Sequence, residues 1–199
     1  MIENPKILES VSVLFIYKQQ IFAVQRQPYL LAFPGYHAFP GGKVDNDESS
    51  TPFKTKILSD HDPRRMRAIC REVLEELDYD IEKGILNDEV FSVNELAETV
   101  APVFAPFRFR TWFYRIDLKN KVHFRANSGE FVSSFWSTPK KIIDDFREGK
   151  SLIVPPTRRI LKRLVEDPQA KKLGNLSEVF DEDKMVPSLE MLDGITLLP

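Results

Sequence analysis

Apolar and polar positions follow two different periods along the chain, which predict strands in some stretches and helices in others. Residues 10–17 are β-branched or aromatic and almost continuously apolar, as in a strand buried on both faces. A short polar turn and residues 21–25 complete a hairpin. Further strands are predicted at residues 109–118, 122–124 and 130–136, and loops at residues 27–36 and 101–107.

The most regular helical pattern follows Asp62, a candidate cap, and Pro63, a candidate first helical residue. Glu72, Glu75 and Glu76 share one narrow face of this helix, at about 100° per residue. None has a lysine four residues further on, so their charges repel. A divalent cation would remove the repulsion, since hard cations take carboxylate oxygens; an exposed acidic face is the alternative. The apolar face consists of Met66, Ile69, Cys70, Val73, Leu74 and Leu77.

Three further helices are predicted from capping patterns. Ser92 and Glu95 form a capping box before an apolar stretch. Thr138 precedes a proline and a helical apolar pattern that ends at Gly149. Thr157 is the predicted cap of the last helix, which runs to about residue 166.

Composition narrows the class of protein. The chain has 199 residues, of which 42% are hydrophobic, enough for one domain with a real core. Its net charge of −2 gives no basic surface for nucleic acid. Cys70 is the single cysteine, which excludes an intrachain disulfide. No signal peptide and no apolar run long enough to span a membrane is visible, so a cytoplasmic protein without a membrane partner is expected.

The run Phe39-Pro40-Gly41-Gly42 changes the interpretation of the acidic helix. Five residues lead from Gly42 to Glu48, and Arg71-Glu72-Val73-Leu74-Glu75-Glu76 follows later. This pattern resembles the signature of the Nudix hydrolases. Twenty-two residues separate Glu48 from the arginine, against seven in the signature. The polar residues 49–61 are therefore predicted to be an inserted surface loop, as in the branch that includes the peroxisomal coenzyme A diphosphatases.

The resemblance implies a fold and a domain organisation. The implied fold is α/β (α+β), with a mixed β-sheet between helices, and the Nudix domain would span residues 1–166. Residues 167–199 would form a C-terminal extension that packs on the domain or on a second subunit, so a homodimer is possible. Asp78 stands where the family has glycine, and Asp tolerates the left-handed conformation of a helix end.

The resemblance also assigns roles to the acidic cluster. Glu75 and Glu76 match the carboxylates that hold Mg²⁺ (or Mn²⁺), and Glu72 matches a further ligand or the catalytic base. Arg71 matches the arginine that orients this cluster, and Glu48 matches its acidic partner. A hard cation on a rigid helix suits the chemistry, because it neutralises a diphosphate and makes bound water more acidic.

Candidates outside the signature are less specific. Glu130 matches a glutamate that reaches the metal site or activates water, although a surface glutamate is an equally good interpretation. Arg108 and Arg110 lie two apart on one face of a predicted strand, where guanidinium groups would suit a phosphate. The full set of expected substrate-binding residues is Arg26, His37, Gly41, Gly42, Arg108 and Arg110.

The implied activity is cleavage of the diphosphate bridge in a small nucleoside diphosphate linked to another group. The inserted signature most resembles that of enzymes that convert coenzyme A or acyl-coenzyme A to 3′,5′-ADP and a phosphopantetheine. Hydrolysis of ADP-ribose, another nucleotide sugar or a dinucleotide is the alternative. A non-catalytic nucleotide-sensing module and an acidic-helix interaction protein are two further possibilities, but neither accounts for the intact glutamates and the double-glycine run together.

Overall fold

The computed structural model describes residues 7–103, 105 and 108–182. A mixed seven-stranded sheet lies at the centre of this part, with helices on both faces. This arrangement confirms the predicted α/β (α+β) fold. No helix in the described ranges is long and apolar enough to cross a membrane. The elements are β1 (Leu8–Tyr17), β2 (Gln20–Arg26), β3 (His37–Ala38), α1 (Lys56–Ser59), α2 (Pro63–Leu77), α3 (Ile81–Leu86), β4 (Val90–Val100), β5 (Phe109–Leu118), β6 (Phe131–Ser137), α4 (Pro139–Arg147), α5 (Pro155–Glu166), β7 (Gly174–Asn175) and α6 (Val179–Glu182).

Strands β1 and β5 lie side by side, in parallel, at the centre of the sheet. Successive side chains of a strand point to opposite faces. Val11, Val13 and Phe15 of β1 join the core that α2 completes, whereas Leu14 and Ile16 join the core that α4 and α5 complete. The continuous apolar run of this strand therefore reflects two covered faces, as predicted from the sequence.

Residues 92–100 form a strand, so the helix predicted from the capping box is wrong. They belong to β4, which pairs antiparallel with β5. Ser92 Oγ donates to Asp117 Oδ2 at 2.6 Å instead of capping a helix. Leu96 and Val100 are four positions apart, a spacing that fits one face of a strand as well as one face of a helix. Pairing with the neighbouring strand decides the structure here.

Two shorter predictions also differ from the structure, and one helix was not predicted. Residues 122–124 form no strand, although the Phe124 ring packs in the core, with its centroid 4.6 Å from that of Phe22. Thr157 is buried within the first turn of α5 and does not cap it. Helix α3, whose N-cap is Asp80, has no predicted counterpart. The predicted β1–β2 hairpin, β5, β6, α2, α4 and α5 are confirmed, with boundaries shifted by a few residues.

The inserted residues 49–61 are more than the surface loop that their polar composition predicts. Phe53 and Leu58 are buried, with 6% and 1% of their surfaces exposed, in the core between α2 and the sheet. The Arg67 guanidinium of α2 lies over the Phe53 ring, with its central carbon 4.1 Å from the centroid. Two apolar anchors in a polar stretch thus fix the insertion to the domain.

Residues 167–182 pack on the domain, where β7 adds in parallel to the edge of β4. Arg115 of β5 is 2% exposed and pairs with Asp117 at 2.7 Å. The same guanidinium donates to the carbonyls of Pro168 and Ala170, at 2.8 and 2.9 Å. These bonds tie the segment after α5 to the sheet. The remainder of the expected extension, residues 183–199, lies outside the described residues.

We expect Leu58→Ala to lower the free energy of unfolding by about 2–5 kcal/mol, because it removes an anchor of the insertion from the core. Lys54→Ala, at an exposed position of the same stretch, should change it by less than about 0.5 kcal/mol. Urea unfolding of both variants measures the difference. A Leu58→Ala protein as stable as wild type would contradict the anchoring role.

Candidate active site

Helix α2 carries the acidic cluster, and both of its ends are set by the residues predicted to set them. Asp62 Oδ1 accepts a hydrogen bond from the Arg65 N–H at 3.0 Å, and Pro63 is the first helical residue. Asp78 ends the helix in the left-handed conformation, with φ 53°. The rotation of the helix is fixed by its buried residues Met66, Ile69, Val73 and Leu77.

The double-glycine bend lies opposite the acidic face of α2. Gly41 has φ 143°, and a Cβ on it would lie 2.2 Å from the Val11 carbonyl oxygen, so only glycine fits. A Cβ on Gly42 would lie 2.2 Å from Glu72 Oε1. The Gly41 N–H donates to Glu76 Oε2 at 2.8 Å. Two of the carboxylates therefore approach bare backbone, at a point where any larger residue would displace them.

Arg71 joins acidic residues from both sides of the insertion. Its Nε lies 3.1 Å from Glu48 Oε1, its Nη1 lies 2.8 Å from Glu72 Oε1 and 3.7 Å from Glu75 Oε2, and its Nη2 donates to the Lys43 carbonyl at 2.9 Å. Burial disfavours the Arg71 charge, but hydrogen bonds to Glu72 and Glu48 outweigh burial and raise the pKa of Arg71 above its ordinary value. The structure thus brings Glu48 to Arg71 across the twenty-two intervening residues.

Asp45 is a site residue that the sequence pattern does not reveal. Its Oδ2 lies 3.2 Å from Arg71 Nη2. Its position between the glycine bend and Glu48 is the only signal available in the sequence.

Burial and neighbouring negative charges raise the pKa of two of the carboxylates, Glu72 and Glu76. Glu76 is 2% exposed, and burial is the main cause of its pKa of about 9, with the negative charges of Glu130 and Glu72 acting in the same direction. Burial also raises the pKa of Glu72, where Arg71 acts against it and Glu75 and Glu130 add to it. The cluster therefore favours an added positive charge, either a proton or a cation.

Glu130 reaches this cluster from a separate turn, residues 127–130. The Asn127 N–H donates to the backbone carbonyl of Glu76 at 2.8 Å, and the Glu130 N–H closes the turn on the Asn127 carbonyl at 3.1 Å. The negative charge of Glu130 also acts to raise the pKa of both Glu72 and Glu76. Residues far apart in the chain thus meet at one end of α2.

Arg26 lies near the cluster, whereas His37 does not. The Arg26 charge acts to lower the pKa of Glu76, and its Nε donates to the Ala32 carbonyl at 3.0 Å. The His37 ring packs 5.0 Å from the Phe135 ring, in the core on the α4 side of the sheet. The expectation that His37 contacts a substrate phosphate beside these carboxylates is therefore not met, because strand alternation directs its side chain to the other face.

Arg108 and Arg110 contact the neighbouring strand. Arg110 Nε lies 3.4 Å from Glu98 Oε1 of β4. Arg108 Nε donates to the Ala101 carbonyl at 3.3 Å, just beyond the end of β4. Both guanidinium groups are thus engaged at the β4–β5 pair, and their contact with a phosphate stays a prediction.

The acidic cluster can be held against the requirements of a divalent cation, which takes several carboxylate oxygens. Within the described ranges, no three His, Cys, Asp or Glu side chains form a ready-made metal cage. Arg71 engages Glu72, and the Gly41 N–H engages Glu76. The chemistry nevertheless fits a hard cation, because three carboxylates are gathered on a rigid helix and outnumber the Arg71 guanidinium that pairs with two of them. Glu72, Glu75 and Glu76 are the residues that could hold it.

Comparison with known proteins identifies the fold. No protein-family model and no curated protein matches the chain in sequence. A NUDIX hydrolase from Alicyclobacillus acidocaldarius is 20% identical, with TM-score 0.65 over 83% of this chain and 94% of that one. A MutT protein from Methanosarcina mazei Go1 is 16% identical, with TM-score 0.57 over 85% and 99%. The E. coli dihydroneopterin triphosphate pyrophosphohydrolase is 14% identical, with TM-score 0.53 over 81% and 99%. The chain therefore has the Nudix fold, as the resemblance implied.

Without divalent cations, we expect the free energy of unfolding to fall as the pH rises from about 5 to about 9. The folded-state pKa of Glu76, about 9, lies above its ordinary value of 4.5. The folded protein thus holds a proton in this interval that the unfolded chain has lost, and stability declines by up to about 1.4 kcal/mol per pH unit. Denaturant unfolding in EDTA across this pH range measures the slope.

Glu76→Gln keeps an acceptor for the Gly41 N–H and should remove most of this slope. Glu75→Gln is the matched control, because the Glu75 side chain is 61% exposed, and it should keep the wild-type slope. If Glu76→Gln and wild type depended on pH to the same extent, the buried carboxyl would not be the group that titrates.

Proposed function

We propose that the chain is a Nudix pyrophosphohydrolase that uses Mg²⁺ or Mn²⁺ to cleave the diphosphate bridge of a nucleoside diphosphate linked to another group. One observation carries the proposal: Gly42, Glu48, Arg71 and Glu72 meet at one place although an insertion interrupts their signature. An ordinary acidic surface would not bury Glu76 against a glycine bend. The Nudix fold supports the same conclusion.

The residues divide into those that hold the cation and those that orient the holders. Glu72, Glu75 and Glu76 would bind the cation, which when bound neutralises diphosphate charge and makes water more acidic. Arg71 fixes the Glu72 carboxylate through a 2.8 Å bond and is itself fixed by Glu48. Orientation by such partners is what gives a metal site its affinity and geometry.

Glu130 is the residue that we assign as general base. Arg71 already donates to Glu72, and the Gly41 N–H already donates to Glu76; both carboxylates are also the ones assigned to the cation. Glu130 belongs to a different segment, whose backbone is bonded to that of Glu76 through the Asn127 N–H. Its carboxylate would accept the proton of the attacking water while the helix carboxylates hold the cation.

Coenzyme A or acyl-coenzyme A is the substrate that we propose first. The support is the resemblance of the inserted signature to that of the coenzyme A diphosphatases, together with the loop after β2, which presents apolar side chains beside Arg26. Tyr29, Leu31 and Phe33 of this loop are 67%, 92% and 48% exposed. Such groups suit the bulky, partly apolar portion of a substrate whose diphosphate lies at the carboxylates. ADP-ribose, other nucleotide sugars and dinucleotides are the alternative substrates.

We expect the purified protein, with Mg²⁺ or Mn²⁺, to release 3′,5′-ADP from coenzyme A or an acyl-coenzyme A. Incubation with these compounds, ADP-ribose, NADH and dinucleoside polyphosphates, followed by mass spectrometry, identifies the products. Glu75→Gln and Glu76→Gln should each lower kcat by about 100-fold or more while circular dichroism shows a folded protein. Running the reaction in ¹⁸O-labelled water shows which phosphorus is attacked.

Glu82→Gln is the matched control, because Glu82 is an exposed glutamate on the neighbouring helix α3, and it should retain wild-type activity. A second measurement separates an enzyme from a nucleotide sensor. If Mn²⁺ raises the melting temperature of the wild type but no substrate turns over, the chain is a non-catalytic module. If Glu76→Gln remains fully active, the metal assignment is wrong.

A further inference from the structure

Gln27 connects the start of the loop after β2 to the turn that carries Glu130. Its side-chain Nε2 donates to the Ser128 carbonyl at 2.8 Å and lies 3.3 Å from the Phe131 carbonyl. Its backbone N–H donates to the Glu130 carbonyl at 2.8 Å. Gln27 thus contacts Ser128, which precedes Glu130, Glu130 itself, and Phe131, which follows it.

The other side of the same turn is held by helix α2. The last carbonyls of a helix have no partner within the helix. Here the Asn127 N–H donates to the Glu76 carbonyl at 2.8 Å, and the Arg125 N–H donates to the Leu77 carbonyl at 3.0 Å. The backbone that leads to Glu130 is therefore placed relative to the backbone of Glu76, and Gln27 closes the opposite side.

We propose that Gln27 is a positioning residue for Glu130: its side-chain amide fixes the turn so that the Glu130 carboxylate faces Glu72 and Glu76. The inference rests on the proposed function, because it assigns to Glu130 the role of base. An amide carries two N–H donors, which matches two carbonyls, that of Ser128 on the turn and that of Phe131 directly after it. A methionine at this position would keep a similar length and lose both donors.

A double-mutant cycle tests the proposal, with wild type, Gln27→Met, Glu130→Gln and the double variant assayed on the substrate that the wild type hydrolyses fastest. Gln27→Met is expected to lower kcat by about 10- to 100-fold, the usual cost of losing a supporting hydrogen bond at such a site, with KM changed by less than about twofold. In the Glu130→Gln background the same substitution should lower kcat by less than about twofold, because the group that it positions is already gone.

Equal losses in the two backgrounds would overturn the proposal, since Gln27 would then act on the fold as a whole. No loss from Gln27→Met in the wild-type background would overturn it as well. Gln25→Met is the matched control: Gln25 is a partly buried glutamine of β2 whose Oε1 accepts from Ser133 Oγ at 3.3 Å, and its loss should leave kcat within about twofold of wild type. Thermal melting of every variant identifies any that do not fold.

Amide hydrogen exchange supplies a readout that needs no activity. The Glu130 and Phe131 N–H groups both donate to the Asn127 carbonyl, and Gln27→Met should speed their exchange by about tenfold while α2 keeps its protection. Unchanged exchange would overturn the positioning role whether or not the wild type turns over a substrate. If the wild type hydrolyses no substrate but Gln27→Met still shows this local loss of protection, the proposed function is wrong. The inference that Gln27 fixes the 127–130 turn would remain supported.

Discussion

The contact between the Gly41–Gly42 bend and the acidic face of α2 is the constraint on which the candidate site depends. Burying a carboxylate such as Glu76 costs several kcal/mol unless it is bonded or protonated. The Gly41 N–H bond offsets part of that cost. The bend is itself fixed to β1, because Val13 donates to the Pro40 carbonyl and Val11 to the Gly42 carbonyl. Strand β1 therefore fixes the bend, and the bend in turn holds the Glu76 carboxylate of α2.

The same constraint explains how the fold accepts an insertion in the middle of its signature. Lengthening a loop costs little in closure entropy, roughly 0.6 kcal/mol for each doubling. The inserted residues recover free energy by burying Phe53 and Leu58 between α2 and the sheet. Both ends of the insertion are also fixed, by the Glu48–Arg71 pair at one end and by the Asp62 cap at the other. The insertion lengthens the chain between Glu48 and Arg71, and the two side chains still form an ion pair.

The site is assembled on one face of the sheet from three segments: the bend, α2 and the 127–130 turn. The central parallel pair β1–β5 makes this possible, since its two-sided burial fixes the layer on which α2 packs. The opposite face is closed by α4, α5 and the Arg115 network, and His37 belongs to that side. The sheet thus separates the face that carries the candidate site from the opposite face, and the alternation of side chains along each strand decides to which face a residue belongs.

The sequence alone predicted the elements whose signals are local. The period and caps of α2, the Thr138 cap of α4 and the doubly apolar β1 are recognisable because each depends on residues within a few positions. The glycine bend, the three helix glutamates and the partnership of Glu48 with Arg71 were also predictable, since one short signature contains them. These are the parts of the site that depend on spacing along the chain.

Only the tertiary structure decided the rest, because it depends on which distant segments pair. In β4, the spacing of Leu96 and Val100 fits a helix as well as a strand, and only the pairing with β5 shows that the segment is a strand. The faces of His37, Arg108 and Arg110 follow from strand register, and the hold of Gln27 on the 127–130 turn joins residues about one hundred positions apart. Burial of the Glu76 carboxylate is likewise a property of three segments meeting, and no periodicity along one of them encodes it.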